Sequence, residues 1–192
     1  MAFLTDFADA AVILPMAFTV AAALGLSGWR RGALAWILSV GGTLIAMLGL
    51  KLVFHACGPA MGVAIESPSG HTAAATATYG GLLVLLGVPS AVAFVASAAV
   101  ALLVGVSRVA LGMHTPPEVV LGALVGLGGV VVMVRLVGAT RRPVPRVALI
   151  AALLAVVVVF HGGHVHAEPA IHHLARLLDI WPFSVCRGIM AS

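Results

Sequence analysis

The sequence predicts an all-α membrane protein, a polytopic bundle of about six transmembrane helices. Hydrophobic residues fill 62% of the 192 positions and charged residues only 8%, against roughly 45–50% and about 25% in a soluble domain. The mean hydropathy of +1.19 agrees. A backbone within a bilayer must satisfy its own hydrogen bonds, which leaves helices or a closed barrel. The apolar run from Val119 to Val134 lacks the alternation of a barrel strand, so helices are favoured.

Six apolar stretches are long enough to form these helices, at about 20 residues for a full span. They cover residues 8–27, 33–54, 71–87, 90–106, 118–138 and 147–161. Gly58 and Pro59 begin the second break, so Lys51 is expected to end the second helix. No internal repeat or long linker divides the chain. We therefore expect one membrane-embedded domain over residues 1–192, with the histidine-rich tail 162–192 at the interface.

Charge is distributed unequally between the two sides of the predicted bundle. One side holds most of the arginines, namely Arg30, Arg31, Arg135, Arg141, Arg142 and Arg146. The other side holds all the acids, namely Asp6, Asp9, Glu66, Glu118, Glu168 and Asp179. The positive-inside rule assigns the first side to the cytoplasm. The N-terminus, the loops after the second and fourth stretches and the tail are then expected to face outward, in a plasma or inner membrane.

The high isoelectric point, about 10.1, does not indicate a nucleic-acid partner. The chain has ten Lys and Arg residues, and they are spread along it without aromatic interleaving. A surface for a duplex needs clustered basic side chains. Two cysteines, Cys57 and Cys186, are too few for a disulfide framework. The sequence decides neither whether they pair nor the oligomeric state.

Polar residues cluster at the helix ends that face outward. Ser69 and Gly70 precede the third helix, where a helix N-terminus offers free N–H groups and a positive dipole end to an anion. Arg108 can hold two phosphate oxygens in a bidentate fork, and Lys51 supplies a point charge. Ionisable groups at the ends of membrane helices are functional candidates by default. The pattern predicts a phosphate site on the outward face.

Two histidines and a carboxylate accompany these phosphate-binding groups. One imidazole of the pair His71 and His114 can attack phosphorus, while the other protonates the leaving oxygen. A carboxylate bonded to the second nitrogen of the nucleophile would fix its tautomer. Glu118 also fits a capping box with Thr115 as N-cap and Pro116 at the first helical position. Both roles for Glu118 remain open at this point.

The spacing of these residues resembles the type 2 phosphatidic acid phosphatase superfamily, which includes lipid phosphate phosphatases and undecaprenyl-diphosphate phosphatases. Its second motif, Pro-Ser-Gly-His, is intact at residues 68–71. Its third motif, Ser-Arg-x5-His-x3-Asp, has its spacing in Ser107, Arg108, His114 and Glu118, with Glu in place of Asp. The two motifs occur in order and at helix boundaries.

The first motif of that family, Lys-x6-Arg-Pro, is only partly present. Lys51, Gly58 and Pro59 keep its spacing, but Gly58 stands where the family has Arg. Losing one donor to a transition-state oxyanion can cost about 2.7–4 kcal/mol. Another basic group, another substrate or reduced activity would each be consistent with this change.

The resemblance implies a hydrolase that acts on a lipid phosphate or an isoprenyl diphosphate through a phosphohistidine. His114 would be the nucleophile, Glu118 would orient it, and His71 would be the acid that protonates the leaving group. The phosphoryl oxygens would be bound by Lys51, Ser69, the Gly70 amide and Arg108. The family needs no metal or organic cofactor, so none is expected. The alternatives are a phosphotransferase of the same family and a non-catalytic lipid-phosphate binder or transporter.

Overall fold

The structure is a computed structural model that describes residues 2–61, 65–138, 146–163 and 171. Within these ranges the chain is helical and contains no strand. The α-helices are α1 (Ala2–Asp6), α2 (Ala10–Leu26), α3 (Arg30–Trp36), α4 (Gly42–Met61), α5 (Gly70–Leu85), α6 (Ser90–Ala110), α7 (Pro116–Val137) and α8 (Arg146–Phe160). A π-helical turn, Ile37–Gly41, joins α3 to α4, so these two elements follow one another without a loop.

The predicted all-α bundle is confirmed, because each of the six apolar stretches forms a helix. Three segments of the described chain are long and apolar enough to cross a membrane, namely Arg30–His55, Ser90–Ala110 and Pro116–Val137. Two shorter apolar helices are Ala10–Leu26 and Leu149–Phe160. The sequence did not predict the short helix α1.

Helix α5 lies at the centre of the bundle. It packs most extensively on α7 and α6 and also contacts α2, α4 and the π-helical turn. Its sequence is rich in Ala, Gly and Thr, and most of its side chains are buried. Small residues let helix backbones approach closely where lipid provides no hydrophobic drive between helices. The composition of α5 therefore suits an interior helix.

A row of glycines on α7 makes the contact with α5 possible. Gly122, Gly126 and Gly129 share one face of α7 and are buried. A Cβ added to Gly122 would collide with the carbonyl oxygen of Ser69 at the start of α5. A Cβ on Gly126 would lie 2.7 Å from the carbonyl oxygen of Ala73. This seam fixes the first turn of α5 against the first turns of α7.

The two ends of the bundle differ in charge. The start of α3 meets the end of α7, where Arg31 Nε donates a hydrogen bond of 2.8 Å to the carbonyl oxygen of Leu136. Arg30 and Arg135 also lie at this end. At the opposite end, the N-termini of α5 and α7 meet the C-terminus of α6. The polar motif residues belong to that second end.

The structure corrects the predicted end of the second apolar stretch. Helix α4 continues to Met61, so Lys51 lies well inside it, and Gly58 and Pro59 are helical rather than the start of a break. Pro and Gly are tolerated inside membrane helices because neighbouring groups satisfy the freed backbone positions. The nearby Cys57 is buried and disulfide-bonded. Cys186, Arg141, Arg142 and nearly all of the tail 162–192 lie outside the described residues.

The glycine seam predicts opposite effects of two Gly→Ala substitutions that lie two residues apart. In Gly126→Ala the new methyl group would overlap α5, and overpacking of this kind lowers the free energy of unfolding by about 1–3 kcal/mol. Gly128 has no atom within 4 Å of an added Cβ, so Gly128→Ala should keep or raise stability through helix propensity, by up to about 1 kcal/mol. Thermal unfolding in detergent measures both variants. Equal unfolding temperatures for the two would contradict the described packing.

Candidate active site

The loop between α6 and α7 presents His114 to the polar end of the bundle. Helix α6 ends at Ala110, and Gly112 takes the left-handed conformation, with φ of +67°. The Met113 amide then donates a hydrogen bond of 3.0 Å to the carbonyl oxygen of Arg108. Thr115 is the N-cap of α7, as the sequence predicted. This tight turn places His114 between the last turn of α6 and the first turn of α7.

One nitrogen of His114 is held by Glu118. Nδ1 of the imidazole lies 3.2 Å from Oε2 of the carboxylate, and both side chains are largely buried. No described residue bonds Nε2, so that atom is left for a substrate. Burial lowers the pKa of His114 below its ordinary value of 6.5, as do the charges of Arg108 and Lys51, although the bond to Glu118 raises it. The imidazole is therefore neutral, and nucleophilic, at neutral pH.

The Glu118 carboxylate also holds two loops. Oε2 accepts a hydrogen bond of 2.9 Å from the Thr115 amide, which is the capping-box contact. Oε1 accepts bonds of 2.9 Å each from the amides of Glu66 and Ser67. The carbonyl oxygen of Glu118 accepts a further bond of 3.0 Å from the Ser69 amide. Capping and contact with His114 therefore coexist in one buried side chain.

The Pro-Ser-Gly-His segment forms the start of α5, as predicted. Ser69 is its N-cap and is fully buried, with its hydroxyl 2.9 Å from that of Thr72. Gly70 is the first helical residue and is partly buried. His71 follows in the first turn and is also partly buried. The free amides of this first turn point toward the polar end, where an anion is favoured.

Lys51 and Arg108 bring positive charge to the same place from two other helices. Both side chains are buried, each 7% exposed. Lys51 Nζ donates a hydrogen bond of 2.9 Å to the Ser67 hydroxyl. Its Cε lies 3.5 Å from the point where a Cβ would stand if Gly70 carried a side chain. Arg108 acts electrostatically on both His71 and His114. The structure thus brings the predicted binding residues to one end of the bundle.

Asp9 is a site residue that sequence reasoning missed. Its carboxylate Oδ2 lies 3.5 Å from Nε2 of His71, while Oδ1 accepts a hydrogen bond of 2.8 Å from the Ala11 amide and caps α2. The sequence analysis treated Asp9 only as one of several outward acids. Its position directly before an apolar helix was a detectable signal, since an intramembrane or interfacial acid needs a partner.

The arrangement is chemically suited to phosphoryl transfer. His71 and His114 are near enough to influence one another electrostatically, and two cations and a helix N-terminus stand beside them. Within the described ranges, no group of three or more His, Cys, Asp or Glu side chains is placed to hold a metal ion. Gly58, where the motif has lost its Arg, lies inside helix α4.

The four contacts of the Glu118 carboxylate predict that Glu118→Gln destabilises the site. An amide offers one acceptor oxygen where the carboxylate offers two, and its NH2 group would face N–H donors. Each buried N–H left without an acceptor costs about 1–3 kcal/mol. Thermal unfolding of Glu118→Gln should therefore occur well below that of Glu66→Gln, whose side chain is exposed. Equal unfolding temperatures would show that the carboxylate does not join the two loops.

Comparison with known proteins identifies the family. The family model described as the PAP2 superfamily, the type 2 phosphatidic acid phosphatases, matches residues 32–142, more than half of the chain. Comparisons with curated proteins and with solved structures give no significant match. The matched region contains each of the motif residues from Lys51 to Glu118. It includes the helices α4 to α7, which carry those residues. The chain belongs to the PAP2 superfamily.

Proposed function

We propose that the chain is an integral membrane phosphatase that hydrolyses a lipid phosphate or an isoprenyl diphosphate through a phosphohistidine on His114. Members of the superfamily are phosphatases, and the three long apolar helices indicate a membrane protein. The observation that carries the mechanism is the contact between His114 Nδ1 and Glu118 Oε2. It fixes the tautomer and leaves the lone pair of Nε2 for phosphorus.

The reaction would proceed in two displacements. In the first, Nε2 of His114 attacks phosphorus, the bond to the leaving oxygen breaks, and His71 donates a proton to that oxygen. In the second, a water oxygen attacks phosphorus while His71 accepts its proton, and the bond from phosphorus to nitrogen breaks. Lys51, Arg108 and the Gly70 amide would stabilise the charge on the phosphoryl oxygens, which is the largest part of catalysis in such sites.

Ser69 has a more indirect place in this proposal than the family resemblance implied. Its hydroxyl is fully buried and lies against Thr72, while its amide is bonded to the carbonyl oxygen of Glu118. Ser69 would bind phosphate directly only after rotation of its hydroxyl away from Thr72 toward the ligand. In its present orientation, Ser69 holds α5 on α7.

A lipid is the substrate class that the surroundings of the site favour. Helix α6 carries Arg108 in its last turn, and the same helix exposes Leu102, Leu103 and Val106 along its outer face. A lipid in the surrounding bilayer would hold its phosphate at the level of the end of α6 that carries the arginine. The arginine-rich end of the bundle lies opposite the site, and the positive-inside rule assigns that end to the cytoplasm, so the site would face outward.

Phosphate release from a panel of lipid phosphates tests the proposal. Phosphatidic acid, phosphatidylglycerol phosphate and an isoprenyl diphosphate would be compared in detergent. His114→Ala should lower kcat about a thousandfold or more because the nucleophile is lost. His71→Ala should lower it about 10²–10⁴-fold through loss of acid–base catalysis. Thermal unfolding near that of the wild type confirms that each variant is folded.

Three outcomes would count against parts of this proposal. Unchanged activity in His114→Ala would remove that residue from the mechanism. Tight binding of lipid phosphate without turnover by the wild type would favour the binder or transporter. A phosphorylated acceptor other than water among the products would identify a phosphotransferase. The same assay on sealed vesicles, with an impermeant substrate added outside, tests the orientation.

A further inference from the structure

The N-terminal segment, residues 2–9, is held against the catalytic end of the bundle. The Tyr79 hydroxyl donates a hydrogen bond of 2.7 Å to the carbonyl oxygen of Phe7. The Thr5 hydroxyl lies 3.2 Å from that of Ser107, the serine of the third motif, and both are buried. These contacts fix the segment to α5 and to α6, the helices that carry His71 and Arg108.

The last residues of this segment are the most deeply held. Ala8 is buried and packs with Ala75 of α5 and Val104 of α6. Asp9 follows it and is also buried, 6% exposed. A buried carboxylate is costly unless its oxygens are satisfied. One oxygen is used by the Ala11 amide, and the other faces His71 Nε2.

We propose that Asp9 is a positioning residue for His71, which rests on the proposed function in which His71 is the acid and base. With the Nε2–H of His71 directed at Oδ2 of Asp9, the atom that exchanges protons with substrate is Nδ1. No described residue forms a hydrogen bond with Nδ1 of His71. Asp9 thus holds His71 as Glu118 holds His114, and the two imidazoles turn opposite nitrogens toward the phosphate.

The proton balance follows from this orientation. In the first displacement Nδ1–H of the imidazolium passes its proton to the leaving oxygen as the bond to phosphorus breaks. The neutral ring keeps its Nε2–H toward Asp9, so Nδ1 carries the lone pair. In the second displacement Nδ1 takes the proton from the attacking water. The Asp9 carboxylate stays ionised throughout, as does the carboxylate of a catalytic triad.

The charges around His71 explain why a carboxylate is needed there. Three groups act on it electrostatically: Arg108 from α6, His114 from the loop after α6, and Asp9 from the start of α2. Burial of the imidazole, together with the positive charge of Arg108, opposes a positive charge on His71. Asp9 is the only anion of the three, and it offsets Arg108 in the step that needs an imidazolium.

Asp9→Asn is the variant that tests this role. Asn caps a helix as well as Asp does, and its oxygen can still accept from the Ala11 amide, so the fold is retained while the charge is lost. Asp6→Asn, in the same N-terminal segment, is the matched control. Activity is measured on two substrates, phosphatidic acid in detergent micelles and p-nitrophenyl phosphate. The first has a poor alkoxide leaving group, and the second has a leaving group that needs little protonation.

We expect Asp9→Asn to lower kcat on phosphatidic acid about ten- to a hundredfold, part of the contribution of an acid–base catalyst, and to change kcat on p-nitrophenyl phosphate much less. In a His71→Ala background, Asp9→Asn should have no further effect, because the residue acts through His71. Asp6→Asn should behave as the wild type. An equal loss on both substrates, or an additional loss in the His71→Ala background, would overturn the proposal.

Nitrogen NMR on protein labelled with ¹⁵N-histidine provides a readout that does not depend on turnover. The wild type should show His71 with its proton on Nε2, and Asp9→Asn should change this signal while Asp6→Asn does not. An unchanged His71 signal in Asp9→Asn would overturn the proposal even in a protein that hydrolyses neither substrate. Such silence of the wild type on every substrate would instead count against the proposed function.

Discussion

The site depends on the hydrogen bonds that the buried carboxylate of Glu118 accepts. This carboxylate lies at the start of α7 and accepts hydrogen bonds from amides of two separate loops, at Glu66 and Ser67 before α5 and at Thr115 before α7. An ionised carboxylate in an apolar surrounding is stable only when such donors replace water. Because the same group contacts His114, the orientation of that imidazole is set by the contacts that join the loops.

The close packing of α5 on α7 makes that arrangement possible. Gly122 stands where any side chain would collide with Ser69, and the Ser69 amide bonds to the carbonyl oxygen of Glu118. In lipid, helices associate through close contact and hydrogen bonds rather than through exclusion of water. The glycines of α7 therefore set the position of the first turn of α5 relative to Glu118.

Much of the fold and part of the site could be predicted from the sequence. The apolar stretches gave the helices, because hydrophobic length and helix geometry are linked in a bilayer. The Pro-Ser-Gly-His segment and the turn before Thr115 marked helix starts through local capping chemistry. The end of α4 was predicted wrongly because Gly58 and Pro59 are local breakers whose effect the surroundings override.

The remaining features depend on tertiary packing that no local pattern contains. Asp9 and His71 are more than sixty residues apart in sequence, and only the docking of residues 2–9 on α5 and α6 brings them together. The burial of Ser69 follows from the packing of α5 on α7. The contact of Lys51 with Ser67 depends on the packing of α4 beside α5. The motif spacing predicted which side chains form the site but not which nitrogen of each imidazole is engaged.

The most direct measurement is the site of phosphorylation in enzyme that is quenched under alkaline conditions during turnover of a lipid phosphate. Mass spectrometry would locate the phosphoryl group, and coupling between ³¹P and ¹⁵N would identify the bonded nitrogen. The contact of Nδ1 with Glu118 predicts a phosphoryl group on Nε2 of His114. A phosphoryl group on Nδ1, on His71, or on no histidine during turnover would contradict the account.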